Sequence, residues 1–347
     1  MTNNSNIGQN QTTSIEPLLR QIANMLIVNG TLLENSGLWY GKMGVAIFFC
    51  HYAQCTENEL YMDYAVEIIN VIRAEIHQDS ITDYDRGLAG IGAGVEYLSH
   101  TGFLTIDTDK VLRDIDKRIQ KEIIYTPQEN NSIANGLCGL GQYLLYRCKT
   151  FGTNEMSFLI NQEFIMHIMD LLENGKNPMP SDFPNVLSFL YRLYPLDICK
   201  PKIERYTNRI LADFSMDAIS DEWLFAWVLA LLRMGSIREQ TIDIACKTVD
   251  RAIQALELMD VSSTIDIMDL SDRLLWLLQC KSLISDTGIG KDSIDRLDIL
   301  VDRTFKQSDQ TVQFEKGKLS LKGCAGIGLA MMTSIGKCDD VWLNLLG

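Results

Sequence analysis

The sequence predicts an all-α chain, a seven-repeat α/α toroid in which inner and outer helices alternate around a double barrel. Three observations carry this expectation. A Gly-x-x-Gly motif followed by an apolar run occurs at Gly41-Lys42-Met43-Gly44, Gly87-Leu88-Ala89-Gly90, Gly136-Leu137-Cys138-Gly139 and Gly323-Cys324-Ala325-Gly326. The motifs recur with a period of about 47, the last interval being about four periods long, and a fixed period of this size marks a repeat architecture. The segment before each motif is amphipathic, whereas the one after it is apolar nearly all round, as a buried helix is.

Residues 1–13 are polar, rich in Asn, Thr and Gln, and are expected as a disordered tail ahead of a single toroid domain, 14–347. A capped helix is expected from Ser14 to about Val28, with Ile15, Leu18, Leu19, Ile22 and Leu26 on one face. The alternation continues through amphipathic Leu60–Ile76, Lys110–Ile124, Met156–Leu172, Ile203–Phe214, Gln240–Leu258 and Ser293–Phe305. The interval between the third and last motifs holds three degenerate copies, Ser181–Leu190, Asp221–Leu229 and Met268–Leu277, which keep the apolar run and lack the glycines. Inner helices are thus expected to start near Gly44, Gly90, Gly139, Pro184, Ala226, Arg273 and Gly326. Glycine in these joints can take a left-handed conformation or admit close backbone contact.

Only Gln313–Leu321 alternates with period two, so almost no sheet is expected. A closed ring is expected over an open solenoid: solenoids need polar-faced terminal repeats, and the glycine motifs here are best preserved in the first and last units.

At 347 residues and 46% hydrophobic content the chain can bury a large core. Nine cysteines with no CxxC pair, and no apolar secretory stretch in Met1–Gln11, point to reduced thiols in the cytoplasm. The longest apolar run, Trp223–Leu232, falls well short of the roughly 20 residues that span a membrane. A net charge of −14 argues against nucleic acid, whose affinity rests on phosphate neutralisation, and favours a neutral or cationic peptide or protein partner. The sequence carries no signal of oligomeric state.

With Gly87-Leu88-Ala89-Gly90-Ile91-Gly92-Ala93-Gly94-Val95 and Lys322-Gly323-Cys324-Ala325-Gly326-Ile327-Gly328 in place, the chain resembles the lanthionine synthetase C-like proteins over roughly residues 15 to 335. The resemblance implies a toroid with one Zn²⁺ at its mouth. There the metal turns a peptide cysteine, a thiol of pKa about 8.5, into a thiolate that adds to dehydroalanine or dehydrobutyrine, and an acid/base group protonates the resulting enolate.

The resemblance also exposes departures. The family's ligands are a cysteine in a Trp-Cys-x-Gly motif at the fifth unit and a Cys-His-Gly at the sixth. This chain has Asp221-Glu222-Trp223 and Met268-Asp269-Leu270 there. The family's active-site histidine, in an Ala-His-Gly before the fourth motif, is replaced by Ser181-Asp182-Phe183. One catalytic position is matched, by Asp83. No cofactor and no metal site are therefore expected. Cys50-His51 reads as a packed pair, and Cys138 and Cys324 as small apolar filler of their joints. Asp109, Asp221 and Asp272 stand where helix N-caps would.

The reading that follows is a degenerate family member, a pseudoenzyme that binds a peptide or protein. Asp83 is its retained catalytic position, and Asp85, Arg86, Asn135, Asp182, Asp221, Glu222, Asp269 and Lys322 are its binding residues, each just before a joint. The alternatives are an active thioether-forming cyclase and an acid/base enzyme, such as a glycoside-processing one, using Asp83, Asp85, Asp182 and Asp221 as paired carboxylates.

Overall fold

The computed structural model describes residues 4–127, 130–149, 155–175, 180–212, 214–259, 266–311 and 318–347. Among them no strand occurs, and most of Gln313–Leu321 lies outside the described residues. The inner helices are α2 (Lys42–Thr56), α4 (Leu88–His100), α7 (Leu137–Lys149), α9 (Phe183–Leu193), α11 (Asp221–Ile237), α13 (Ile267–Thr287) and α15 (Cys324–Ser334). Between and before them run α1 (Asn4–Asn29), α3 (Glu59–Glu75), the short α5 (Thr108–Val111) with α6 (Arg113–Tyr125), α8 (Glu155–Asn174), α10 (Lys200–Ala212), α12 (Ile242–Leu258) and α14 (Ile294–Thr311).

Burial separates the two classes as the sequence pattern requires. Every residue of α4 from Leu88 to Leu98 is buried, as is every residue of α15 from Cys324 to Met332. In contrast, α6 buries one stripe, Ile115, Ile119 and Ile123, spaced by one helical turn, and α3 buries Ala65, Ile68 and Ile72. Asn58 starts α3 by accepting the Leu60 N–H at 3.1 Å.

Three starts differ from expectation. Helix α1 begins at Asn4, ahead of Ser14, and runs on through Pro17 to Asn29. Helices α11 and α13 begin at Asp221 and Ile267, about one turn or more before Ala226 and Arg273, because Asp221, Glu222 and Asp269 suit the positive N-terminal end of a helix.

The chain groups into two compact units. The first comprises residues 1–81, 261–278 and 301–346, the second mainly residues 82–260 and 279–300. In the first unit α15 packs against α1 and α2, and α2 against α3. The last repeat thus sits directly on the first, a contact an open solenoid lacks. The Lys322 N–H donates to the Trp39 carbonyl at 2.9 Å, and Trp39 Nε1–H to the Leu345 carbonyl at 3.0 Å. In the second unit successive inner helices pack in order, α4 on α7, α7 on α9 and α9 on α11.

The glycines serve space and not backbone freedom. Gly41 and Gly87 precede their helices in extended conformation, φ −134° and −116°, so the left-handed option raised by the sequence is not used. A Cβ on Gly41 would lie 2.5 Å from the Asn35 carbonyl oxygen, inside its own loop. The second glycines meet the preceding repeat: a Cβ on Gly44 would lie 2.5 Å from Ser320 Oγ, and one on Gly139 2.9 Å from Tyr84 Cβ. Five residues after the first glycine, Gly92, Gly141 and Gly328 receive the rings of Tyr143, Phe189 and Phe48 from the following inner helix. The motif is a socket for an aromatic ring, repeated around the chain.

Candidate functional site

The loop that enters α4 is built before its side chains are placed. The Asp83 carbonyl accepts from Gly87 N–H at 3.0 Å, and Thr82 from Ala89 N–H at 3.2 Å. Tyr84 and Asp85 both donate their N–H groups to the Ala134 carbonyl, 2.9 Å each, tying this loop to the one that enters α7. That second loop is shaped by Asn130, whose side chain accepts Ser132 N–H at 3.0 Å and whose carbonyl accepts Leu137 N–H at 3.2 Å.

On this frame Asp83 is half-buried. Burial, then the charges of Asp85 and Glu122, hold its carboxyl above the usual range, against the opposing pull of Arg86. Asp85 is buried, with Arg86 Nε 3.9 Å away on a mostly exposed side chain, a weak ion pair. Asn135 is exposed and bound into its own turn, its Oδ1 accepting from Ser132 Oγ at 2.8 Å. The backbone bonds to Ala134 therefore bring Asp83, Asp85, Arg86 and Asn135 into one pair of adjoining loops.

The other candidates are more dispersed. Asp182 stands half-buried at the start of α9, where its charge adds to the burial that pushes the Cys138 thiol up. Asp221 and Glu222 are exposed in the first turn of α11, with Arg251 Nη2 3.3 Å from Asp221. In the first unit Asp269 is exposed at the start of α13. Lys322 places its ammonium 4.4 Å from the Trp39 ring centroid and 3.6 Å from Asp272.

None of the three expected caps is one. Ser220 precedes α11 and leaves Asp221 in the first turn, and Asp272 lies inside α13. The cap of α5 is Asp107, which accepts Lys110 N–H at 3.1 Å, because Asp109 is drawn to Arg147.

The donors at the positions the resemblance assigns to zinc do not fit the ion. Asp221 is exposed and bound to Arg251, and Asp269 is a hard oxygen donor where the family has cysteine and histidine. Cys138 and Cys324 are fully buried, and burial holds Cys138 as a thiol. Among the described residues no three His, Cys, Asp or Glu side chains cluster closely enough to hold a metal. Cys50 and His51 are packed: burial pushes the Cys50 thiol up to about 12 and the His51 imidazole down to about 4. The sequence did not reveal that His51 Nδ1 meets Cys338 Sγ at 3.1 Å.

Sequence reasoning also missed Arg147. Fully buried on α7, it bonds Glu96 on α4, Asp109 at 2.8 Å and Asp116 at 2.9 Å, while Tyr143 Oη donates to Asp116 at 2.6 Å. The available signal was an arginine inside an apolar helical run, which must be paired to be buried. This cluster ties α4, α5 and α6 to α7 at the end of α7 opposite its glycine joint.

Comparison with known proteins bears on this frame. The family model described as "Lanthionine synthetase C-like protein" matches residues 34–187, which hold the first three glycine motifs. No curated protein matches the chain in sequence. A solved structure of a nisin cyclase is similar in fold, with a TM-score of 0.69 at 13% identity, covering 97% of this chain and 98% of that one. The fold it shares is the α/α toroid. The chain thus resembles the lanthionine synthetase C-like family in sequence across residues 34–187 and shares the fold of a nisin cyclase across nearly its whole length.

Proposed function

We propose that this protein is a non-catalytic relative of the thioether-forming peptide cyclases, a cytoplasmic toroid domain spanning residues 14–347 that binds a peptide or protein without zinc chemistry. One contrast supports the reading. The loops before α4 and α7 keep a braced geometry around Asp83, while the fourth, fifth and sixth units carry Asp182, Asp221 and Asp269 where the family has its histidine and thiolate ligands. The binding residues are Asp83, Asp85, Arg86, Asn135, Asp182, Asp221 and Glu222 in the second unit, with Asp269 and Lys322 in the first. Their mostly acidic character suits a cationic or neutral segment.

Two measurements test this. Metal analysis after dialysis is expected to return no stoichiometric zinc, and close to one zinc per chain would overturn that part. A dehydrated cysteine-containing peptide is expected to close its rings no faster with the protein than in buffer. Faster closure refutes the non-catalytic reading and gives Asp83 the proton-transfer role. The raised carboxyl of Asp83 beside Asp85 favours one second reading, an acid/base enzyme. Glycoside turnover that Asp83→Asn abolishes would establish it.

A further inference from the structure

At the end of α9 and α11 opposite to Asp182 and Asp221, a cavity of about 310 Å³ opens against the middle of α10, within the second unit. Its size is at the lower end of the range for small-molecule sites. Ile203 on α10, Met234 and Ile237 at the end of α11, and Tyr194 just after α9 give it an apolar body. Thr207 also lines it, is fully buried, and has no hydrogen-bond partner for its hydroxyl oxygen among the described residues. Threonines in other helices of this chain turn the hydroxyl back onto the carbonyl four residues earlier, Thr248 at 2.7 Å and Thr287 at 2.6 Å. Thr207 makes no such bond to Ile203. A hydroxyl buried in this way costs free energy until something bonds it.

The mouth of the cavity is charged. Glu204 and Glu239 line it with exposed side chains. Of the nearby cations, Arg238 donates from Nη2 to Asn208 Oδ1 at 2.5 Å, and Lys200, within electrostatic reach of Glu204, pairs with Asp197 at 2.8 Å. Two lining carboxylates therefore stand against one lining guanidinium, and α9 and α11 both end here, each with the negative end of its dipole. A cation is favoured at the mouth. At Thr207 a charge would be buried against a single neutral hydroxyl, so the inner end of a ligand has to be neutral and hydrogen-bonding.

We propose that this cavity binds a small organic cation: an amine whose ammonium lies at the mouth with Glu204 and Glu239, whose apolar body lies against Ile203, Met234 and Ile237, and whose inner end carries a neutral hydroxyl or amide that bonds Thr207. The site shares no residue with the peptide-binding set and does not rest on that reading.

Met234 supplies a reporter in the cavity wall. The full chain, labelled at its methionine methyl groups, is titrated at neutral pH with 5-amino-1-pentanol, with pentylamine, which lacks the hydroxyl, and with 1-pentanol, which lacks the ammonium, while the Met234 methyl resonance is followed. The amino alcohol is expected to shift that resonance with saturation. Pentylamine is expected to bind about two- to tenfold more weakly, the worth of one neutral hydrogen bond, and 1-pentanol about two- to fivefold more weakly, the worth of an exposed ion pair. Thr207→Val, which keeps the shape and removes the hydroxyl, is expected to melt no lower than the unaltered protein and to bind the amino alcohol no better than pentylamine. Glu204→Gln combined with Glu239→Gln is expected to erase the advantage over 1-pentanol. No saturable shift with 5-amino-1-pentanol, equal binding of all three probes, or a Thr207→Val protein that melts lower because the hydroxyl was bonded within the chain, overturns the proposal.

Discussion

Replacing Gly139 with alanine tests whether the glycine joints are packing devices. A Cβ there would press into the Ile133 carbonyl oxygen and lie 2.9 Å from Tyr84 Cβ, and neither neighbour is the free end of a flexible side chain. The Ile133 carbonyl precedes Ala134, whose own carbonyl accepts the Tyr84 and Asp85 N–H groups, so a retreat of this backbone also strains those two bonds. Overpacking costs about 1–3 kcal/mol, and loss of the two bonds about 1 kcal/mol each. Against this, alanine gains about 1 kcal/mol over glycine inside a helix. The net expectation is a loss of about 2–4 kcal/mol. Gly235→Ala on α11 is the matched control: its Cβ would meet the mobile Ile289 Cδ1 at 3.1 Å, so helix propensity should dominate and the change be neutral or stabilising. Urea midpoints of both variants, with m-values from circular dichroism, give the comparison. Equal shifts in the two, or no loss in Gly139→Ala, would refute the reasoning.

Two further expectations follow from the buried charges. Arg147→Met should cost about 3–5 kcal/mol, because Glu96 and Asp116 then lose their buried counter-charge; a midpoint within error of wild type would show the cluster to be dispensable. Asp83 has a folded-state affinity for its proton above the unfolded value. Its contribution is therefore most favourable below the ordinary aspartate value of 3.8 and is lost as pH rises through the folded value. Asp83→Asn should be as stable as wild type or more so at neutral pH, with the advantage shrinking on acidification; a variant less stable at pH 7 would reverse the sign.

Legibility in the sequence followed the physics of each element. The glycine joints could be read because space for a ring leaves an unambiguous mark, a missing side chain, and Gly92, Gly141 and Gly328 are those marks. The fourth to sixth repeats carry no such mark, so the starts of α11 and α13 slipped to the apolar run instead of the acidic first turn. Asp83, Asp85 and Arg86 could be placed on one loop from their spacing. That Ala134 clamps this loop is a backbone interaction and leaves no residue-type signature. The arginines escaped for a related reason. A charged residue near the end of an apolar run reads as the helix leaving the core, and whether Arg147 finds three carboxylates or Arg233 a serine hydroxyl depends on which helices become neighbours.

The packing of α15 on α1 and α2 also orders events in time. Residues 1–81 reach their unit partners only when residues 261–278 and 301–346 have been made, whereas most of the second unit comes from the continuous stretch 82–260. Contacts of such sequence separation close slowly, and an apolar helix such as α2 is left without its cover during synthesis. The early helices are thus the part of the chain most dependent on protection from aggregation. A circular permutant beginning near residue 290, between α13 and α14, would make α14 and α15 first and α1 and α2 next and so remove that delay.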